Sequence, residues 1–290
     1  MIGPGRNHAP GLVLFTATTG RTGTTSLVEL FNRNVAGCIA EHEAQFRPQG
    51  LYERLYRAIH LRDMGGLEKR GFGNALKWYD RDDPAVVHLA RMRARRIRKL
   101  ACRVYLESSH AFLSSLGEAM AGEFPELGLI HLVRDPLEVA VSYCHRNAHP
   151  VGGPAFLRAL GNWHPHPDSR KNCLRPPEGR LTCLQYYLWV WLEAELRFLR
   201  FIERHPAIRH FQLETRELND PDRIAALFGH FRIHLEAGRI DLPPVQNRNR
   251  RETQINDQHL TEARWLLRRI EPEVLNRLPC RYGLIELATA

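Results

Sequence analysis

Leu12-Val13-Leu14-Phe15-Thr16-Ala17 is a compact β-prone run that leads straight into Thr18-Thr19-Gly20-Arg21-Thr22-Gly23-Thr24-Thr25-Ser26. From Thr24 to Asn34, Leu27, Leu30 and Phe31 fall on one side at helical spacing. Strand, tight loop and helix in this order leave few architectures open, and the pattern recurs. Arg103-Val104-Tyr105-Leu106 ends at Glu107-Ser108-Ser109-His110, with a helix expected from Ala111 to Phe124. Leu129-Ile130-His131-Leu132-Val133 ends at Arg134-Asp135-Pro136. Pro136 suits the first turn of a helix running to about His145, and Asp135 can cap it. Further on, the pattern predicts a helix over Leu181–Arg204, a strand over Ile208–Leu213, and helices over 221–231 and 258–278. Such alternation predicts a three-layer α/β chain, with a central parallel sheet flanked by helices on both faces. A length of 290 residues fits one such domain spanning 1–290. The three polar motifs all fall at strand carboxyl ends, where open α/β sheets bind ligands.

The first loop reads as a phosphate cradle. Backbone N–H groups at a helix start attract anions, and Gly20 and Gly23 permit close approach. Thr22, Thr24 and Thr25 add hydroxyls, and Arg21 adds a fixed charge with a fork of donors. A Walker A loop would need Lys where Thr24 stands and Gly where Thr18 stands, which disfavours a kinase or ATPase. The plainer reading is a Gly/Thr turn that only caps a helix. In the second stretch, Arg134 and Ser142 are eight residues apart, about two helical turns, and could flank one anion lying beside the helix.

Together these stretches resemble the PAPS-dependent sulfotransferases, where PAPS is 3′-phosphoadenosine-5′-phosphosulfate. The resemblance implies a P-loop-type fold in which Gly20, Arg21, Thr22, Gly23, Thr24, Thr25 and Ser26 hold the 5′-phosphosulfate, and Arg134 and Ser142 hold the 3′-phosphate. Arg250 and Arg251, in the basic stretch from Asn247, match the loop that closes over the 3′-phosphate in that family. Glu107-Ser108-Ser109-His110 and Phe211-Gln212-Leu213-Glu214 match two further family segments more weakly. Arg21, where cytosolic phenol and steroid enzymes carry Lys, places the chain nearer the carbohydrate-modifying and bacterial branch. The implied activity is transfer of the sulfuryl group from PAPS to a hydroxyl on a glycan, lipid or small metabolite, releasing 3′-phosphoadenosine-5′-phosphate (PAP). A P-loop-like kinase and a noncatalytic nucleotide-binding protein are the alternatives.

Sulfuryl transfer needs reactants in line, charge stabilisation at the leaving phosphate, and a base for the acceptor hydroxyl. Arg21 fits the second need. Glu43 is the first candidate base, because relatives carry Glu at this point in a similar His-Glu context. Glu41 is its near alternative, and His110 is the other candidate. Either glutamate could instead belong to a solvated acidic turn.

Residues 147–180 are rich in Gly, Pro and His and read as a substrate lid. His145, His149, His164, His166 and Cys173 fit no tetrahedral spacing, so no metal is expected. Tyr186 is a possible adenine-stacking residue, and Trp189 and Trp191 read as core or cleft wall. The run His88–Lys99 carries five arginines and reads as a solvated helix face. It lacks the aromatic interleaving of nucleic-acid readers. A net charge of +9 favours anionic partners in general. Six cysteines without a C-x-x-C pair point to a reducing compartment. With no apolar run of signal or spanning length, a cytoplasmic location is expected.

Overall fold

The computed structural model describes residues 9–44, 84–146, 165, 167, 172–235, 239–243, 254–279 and 282–289. Its centre is a five-stranded parallel sheet in the order β2-β3-β1-β4-β5. The strands are β1 (Leu12–Ala17), β2 (Cys38–His42), β3 (Val104–Ser108), β4 (Gly128–Val133) and β5 (His210–Glu214). β1 lies in the middle, with β3 and β4 as its neighbours. The chain first builds outward to β2 and later crosses to the opposite side. The carboxyl end of β1 therefore opens at the point where strand order reverses, the usual ligand crevice of such sheets.

Alternation along β1 shows why helices cover both faces. Val13, Phe15 and Ala17 point into one apolar layer, and Leu14 points into the other. The first layer is closed by α2 (Pro84–Arg98) and α3 (Gly117–Glu123) through Val86, Ala90, Ile97 and Met120. The second is closed by α1 (Thr24–Asn34) and α6 (Pro221–His230) through Leu27, Leu30, Leu227 and Phe228. A third cluster joins α4 (Pro136–Arg146), α5 (Cys183–Arg204), α7 (Asp257–Leu267), α8 (Pro272–Arg277) and α9 (Leu284–Thr289). Trp189 and Trp191 are buried there. α5 starts with a capping box in which Thr182 and Gln185 satisfy each other's backbone N–H.

The structure departs from the sequence expectations at several points. The segment after β3 begins as a π turn (Phe112–Leu116), not as regular α-helix. Arg197, 84 positions away from Leu113, donates through Nη1 to the carbonyls of Leu113 and Ser114 and supports that turn. The expected helix over 258–278 divides into α7 and α8, with Pro272 starting the second. The Arg-rich run is not wholly a solvated face, because Arg93 is 3% exposed and faces the sheet. Glu41 belongs to strand β2 and not to a turn. Tyr186 is a core residue, edge-on to Tyr187 and donating its hydroxyl to the Pro165 carbonyl, which does not suit a base-stacking platform.

Candidate active site

The loop between β1 and α1 is shaped by three left-handed residues. Gly20, Arg21 and Gly23 have φ of 86°, 61° and 86°. This folds successive N–H groups into a concave turn at the start of α1, a shape that suits anions. Arg21 is an L-residue in this region, which costs roughly 1–2 kcal/mol. Such strain persists only where neighbours enforce it. Here they do: Thr18 Oγ1 accepts from Gly20 N at 3.2 Å and lies 2.5 Å from Thr22 Oγ1. Thr215 Oγ1 donates to the Thr22 carbonyl at 2.8 Å. Tyr143 Oη donates to the Thr19 carbonyl at 2.9 Å. A Cβ on Gly20 would stand 2.5 Å from that Tyr143 oxygen, so the close approach itself requires glycine.

The hydroxyls of Thr22 and Thr24 are engaged inside the protein, Thr22 with Thr18 and Thr24 with His42 Nε2 at 3.0 Å. Contributions of these two residues to an anion would come through their backbone N–H groups. Thr25 and Ser26 lie half-buried in the first turn of α1.

The second motif meets this loop directly. Arg21 Nε donates to Ser142 Oγ at 3.0 Å, and Arg134 Nη1 donates to the Arg21 carbonyl at 3.3 Å. Arg134 is held from two sides. Its Nε donates to Glu138 Oε2 at 2.7 Å, and its carbonyl accepts from Trp191 Nε1 at 3.1 Å. Asp135 caps α4 through the N–H groups of Leu137 and Glu138. Burial pushes the Asp135 carboxyl above its ordinary range, and the two N–H bonds partly offset this. Arg250 and Arg251 lie outside the described residues, as do His149, His164, His166 and most of the expected lid.

The candidate bases converge on the same end of the sheet. His110 follows β3 and Glu43 follows β2, and His110 Nδ1 stands 3.3 Å from Glu43 Oε1. His110 is largely buried, and Glu43 is about one-third exposed. Glu43 has φ 48°, a second strained L-residue at this end of the sheet. Glu41 is occupied differently. It pairs with Arg96 at 2.9 Å and accepts from Tyr105 Oη at 3.0 Å. Only Glu43 of the two glutamates is turned toward His110. A small cleft lies beside His110, lined by Thr18, Thr19, Leu113, Val190 and Arg197 among others. Arg197, Leu113 and Val190 were not singled out from the sequence, and no local motif marks them.

A family model described as the sulfotransferase domain matches residues 13–169. Among solved structures, a sulfotransferase from Alicyclobacillus acidocaldarius matches with a TM-score of 0.52 at 14% identity, covering 96% of each chain. The sulfotransferase domain of the Synechococcus PCC 7002 olefin synthase matches with a TM-score of 0.48 at 15% identity, covering 99% of this chain and 96% of that one. A search of curated proteins found no match. At 14% identity the Alicyclobacillus likeness speaks for the fold alone. The family model, by contrast, spans more than half of the sequence and includes the loop, both candidate bases and Arg134 with Ser142, and on that ground this chain belongs to the sulfotransferase family.

Proposed function

We propose that the protein transfers the sulfuryl group of PAPS to an acceptor hydroxyl at the carboxyl end of the sheet. The observation that carries this reading is the junction of Arg21, Ser142 and Arg134, which links the concave loop to the second cationic motif. Two anion-binding stations a short distance apart suit a nucleotide with a 5′-phosphosulfate and a separate 3′-phosphate. The glycine cradle at Gly20 fits the first group, and the Arg134 side chain fits the second.

PAPS, when bound, supplies a sulfur that exchanges its bond to the 5′-phosphate oxygen for a bond to the acceptor oxygen. The loop N–H groups and Arg21 stabilise the negative charge collecting on the departing phosphate. Glu43 takes the acceptor proton, and His110, with Nδ1 3.3 Å from the carboxylate, fixes its direction.

The test is PAP formation from PAPS with a panel of simple alcohols, phenols and sugars. Wild type should turn over, and Glu43→Gln and Arg21→Ala should fall by roughly 100-fold or more, the scale of losing a base or an anion-stabilising donor. Full activity in both variants would refute the assignment.

A further inference from the structure

We propose that Arg93 is a positioning residue for sulfuryl transfer, holding Glu43 in the backbone conformation that turns its carboxylate toward His110. This rests on the reading of Glu43 with His110 as the basic pair.

Arg93 lies on α2 with its side chain 3% exposed. A single guanidinium nitrogen, Nη2, stands 3.1 Å from Glu107 Oε1 and donates to the Ala44 carbonyl at 3.2 Å. Ala44 directly follows Glu43, and Glu107 is three residues before His110. One nitrogen thus ties together the ends of the two strands that carry the pair. Glu43 sits between two fixed bonds. Its own N–H donates to the Ser108 carbonyl at 3.0 Å, and the carbonyl of the following residue, Ala44, is held by Arg93. A left-handed L-residue needs this kind of enforcement from both sides.

The surrounding charges make the arrangement specific. Glu41 and Glu107 lie side by side in register on β2 and β3. Tyr105 Oη stands within hydrogen-bond distance of both, 3.0 Å from Glu41 and 3.2 Å from Glu107, and its one proton is shared between them. Arg96, one turn after Arg93, answers Glu41, and Arg93 answers Glu107. Burial pushes the Glu107 carboxyl up, and the Arg93 charge works against that shift. A buried ion pair of this kind is commonly replaceable by apolar residues without loss of stability. Stability alone therefore gives little reason for Arg at this position, whereas the bridge to Ala44 does.

The experiment compares wild type with Arg93→Lys, Arg93→Met/Glu107→Met, Glu107→Gln and Glu43→Gln. Lysine keeps a positive charge at this position of α2 but ends one atom short of the place where Nη2 meets both Glu107 and Ala44, so the bridge is lost while the charge stays nearby. The double variant removes both charges together, so no lone buried ion remains. Three quantities are read: PAP affinity, amide hydrogen exchange at Glu43, and PAP formation from PAPS with water and simple alcohols as acceptors. Arg93→Lys and the double variant should bind PAP as wild type does and exchange faster at Glu43. Their kcat should fall by roughly 10- to 100-fold with KM for PAPS little changed, the scale of a small misplacement of a reacting group. Glu107→Gln leaves Arg93 without its buried counter-charge and should lower stability, but its kcat and its exchange at Glu43 should stay near wild type, because Arg93 still donates to the Ala44 carbonyl. Wild-type exchange and turnover in Arg93→Lys, alongside an inactive Glu43→Gln, would overturn the role of Arg93 and leave the basic pair standing. Wild-type turnover in Glu43→Gln would overturn the basic pair and this proposal with it. If the double variant fails to bind PAP, Arg93→Lys decides. The exchange reading needs no acceptor and stands even where turnover is slow.

Discussion

Replacing Gly20 by alanine places a methyl group 2.5 Å from Tyr143 Oη, in a backbone conformation with φ of 86°. Two separate penalties follow. The left-handed backbone costs an L-residue roughly 1–2 kcal/mol. The contact forces the Tyr143 hydroxyl away from the Thr19 carbonyl, and losing that buried bond costs about 1–3 kcal/mol. Gly20→Ala should therefore destabilise by about 2–5 kcal/mol in total. Tyr143→Phe loses the same hydrogen bond without the strain and should cost about 1–3 kcal/mol. The double variant loses that bond only once. Its cost should fall short of the sum of the single variants by about 1–3 kcal/mol, the signature of coupled neighbours. Urea unfolding of the four proteins measures this cycle. Additive costs would refute the argument, since the two residues would then not share the contact, and a neutral Gly20→Ala would refute it outright.

Other consequences follow from buried charges. Glu193 is fully buried and accepts from Cys173 N, Leu174 N and Arg197 Nε. Glu193→Gln should destabilise by about 3–5 kcal/mol, read by urea unfolding, because it leaves Arg197 without its counter-charge. Burial pushes the Glu118 carboxyl up, but hydrogen bonds and charge from His205 and Arg204 outweigh it and leave the group below its ordinary value of 4.5. A carboxyl lowered in the folded state contributes stability that is present above pH 4.5 and lost as pH falls through the lowered value. Stability measured from pH 6 down to pH 3, about the range over which a paired carboxylate titrates, should therefore fall more steeply in wild type than in Glu118→Gln. Equal slopes would count against the pairing.

Much of the fold was legible because its signals are local. β1 and α1 fall where expected, at Leu12–Ala17 and Thr24–Asn34, since an unbroken apolar run and a one-sided helical stripe need no distant partner to be read. β2 was missed. Cys38–His42 carries only a short apolar run and lies at the sheet edge, so its strand character comes from pairing with β3, more than 60 residues later. The inward turn of Arg93 was illegible for a similar reason, because its partner Glu107 lies in another element. The same holds for the two glutamates near residue 42. Glu41 and Glu43 look equivalent in sequence, and they are separated by Arg96 and Tyr105 on one side and His110 on the other. The loop and the Arg134–Ser142 pair were readable because each is a contiguous motif. Their junction through Arg21 is a property of the fold.

The most direct test of the account is the affinity of the protein for PAP against adenosine 5′-monophosphate, which lacks the 3′-phosphate, measured by titration calorimetry in wild type and in Arg134→Ala. A charge-assisted bond from arginine to phosphate contributes about 1.5–3 kcal/mol, or about 10- to 150-fold in affinity. The account predicts that wild type prefers PAP by a factor in this range and that Arg134→Ala loses most of the preference. Equal affinity for the two nucleotides in wild type, or tighter binding of ATP with magnesium than of PAP, would contradict it.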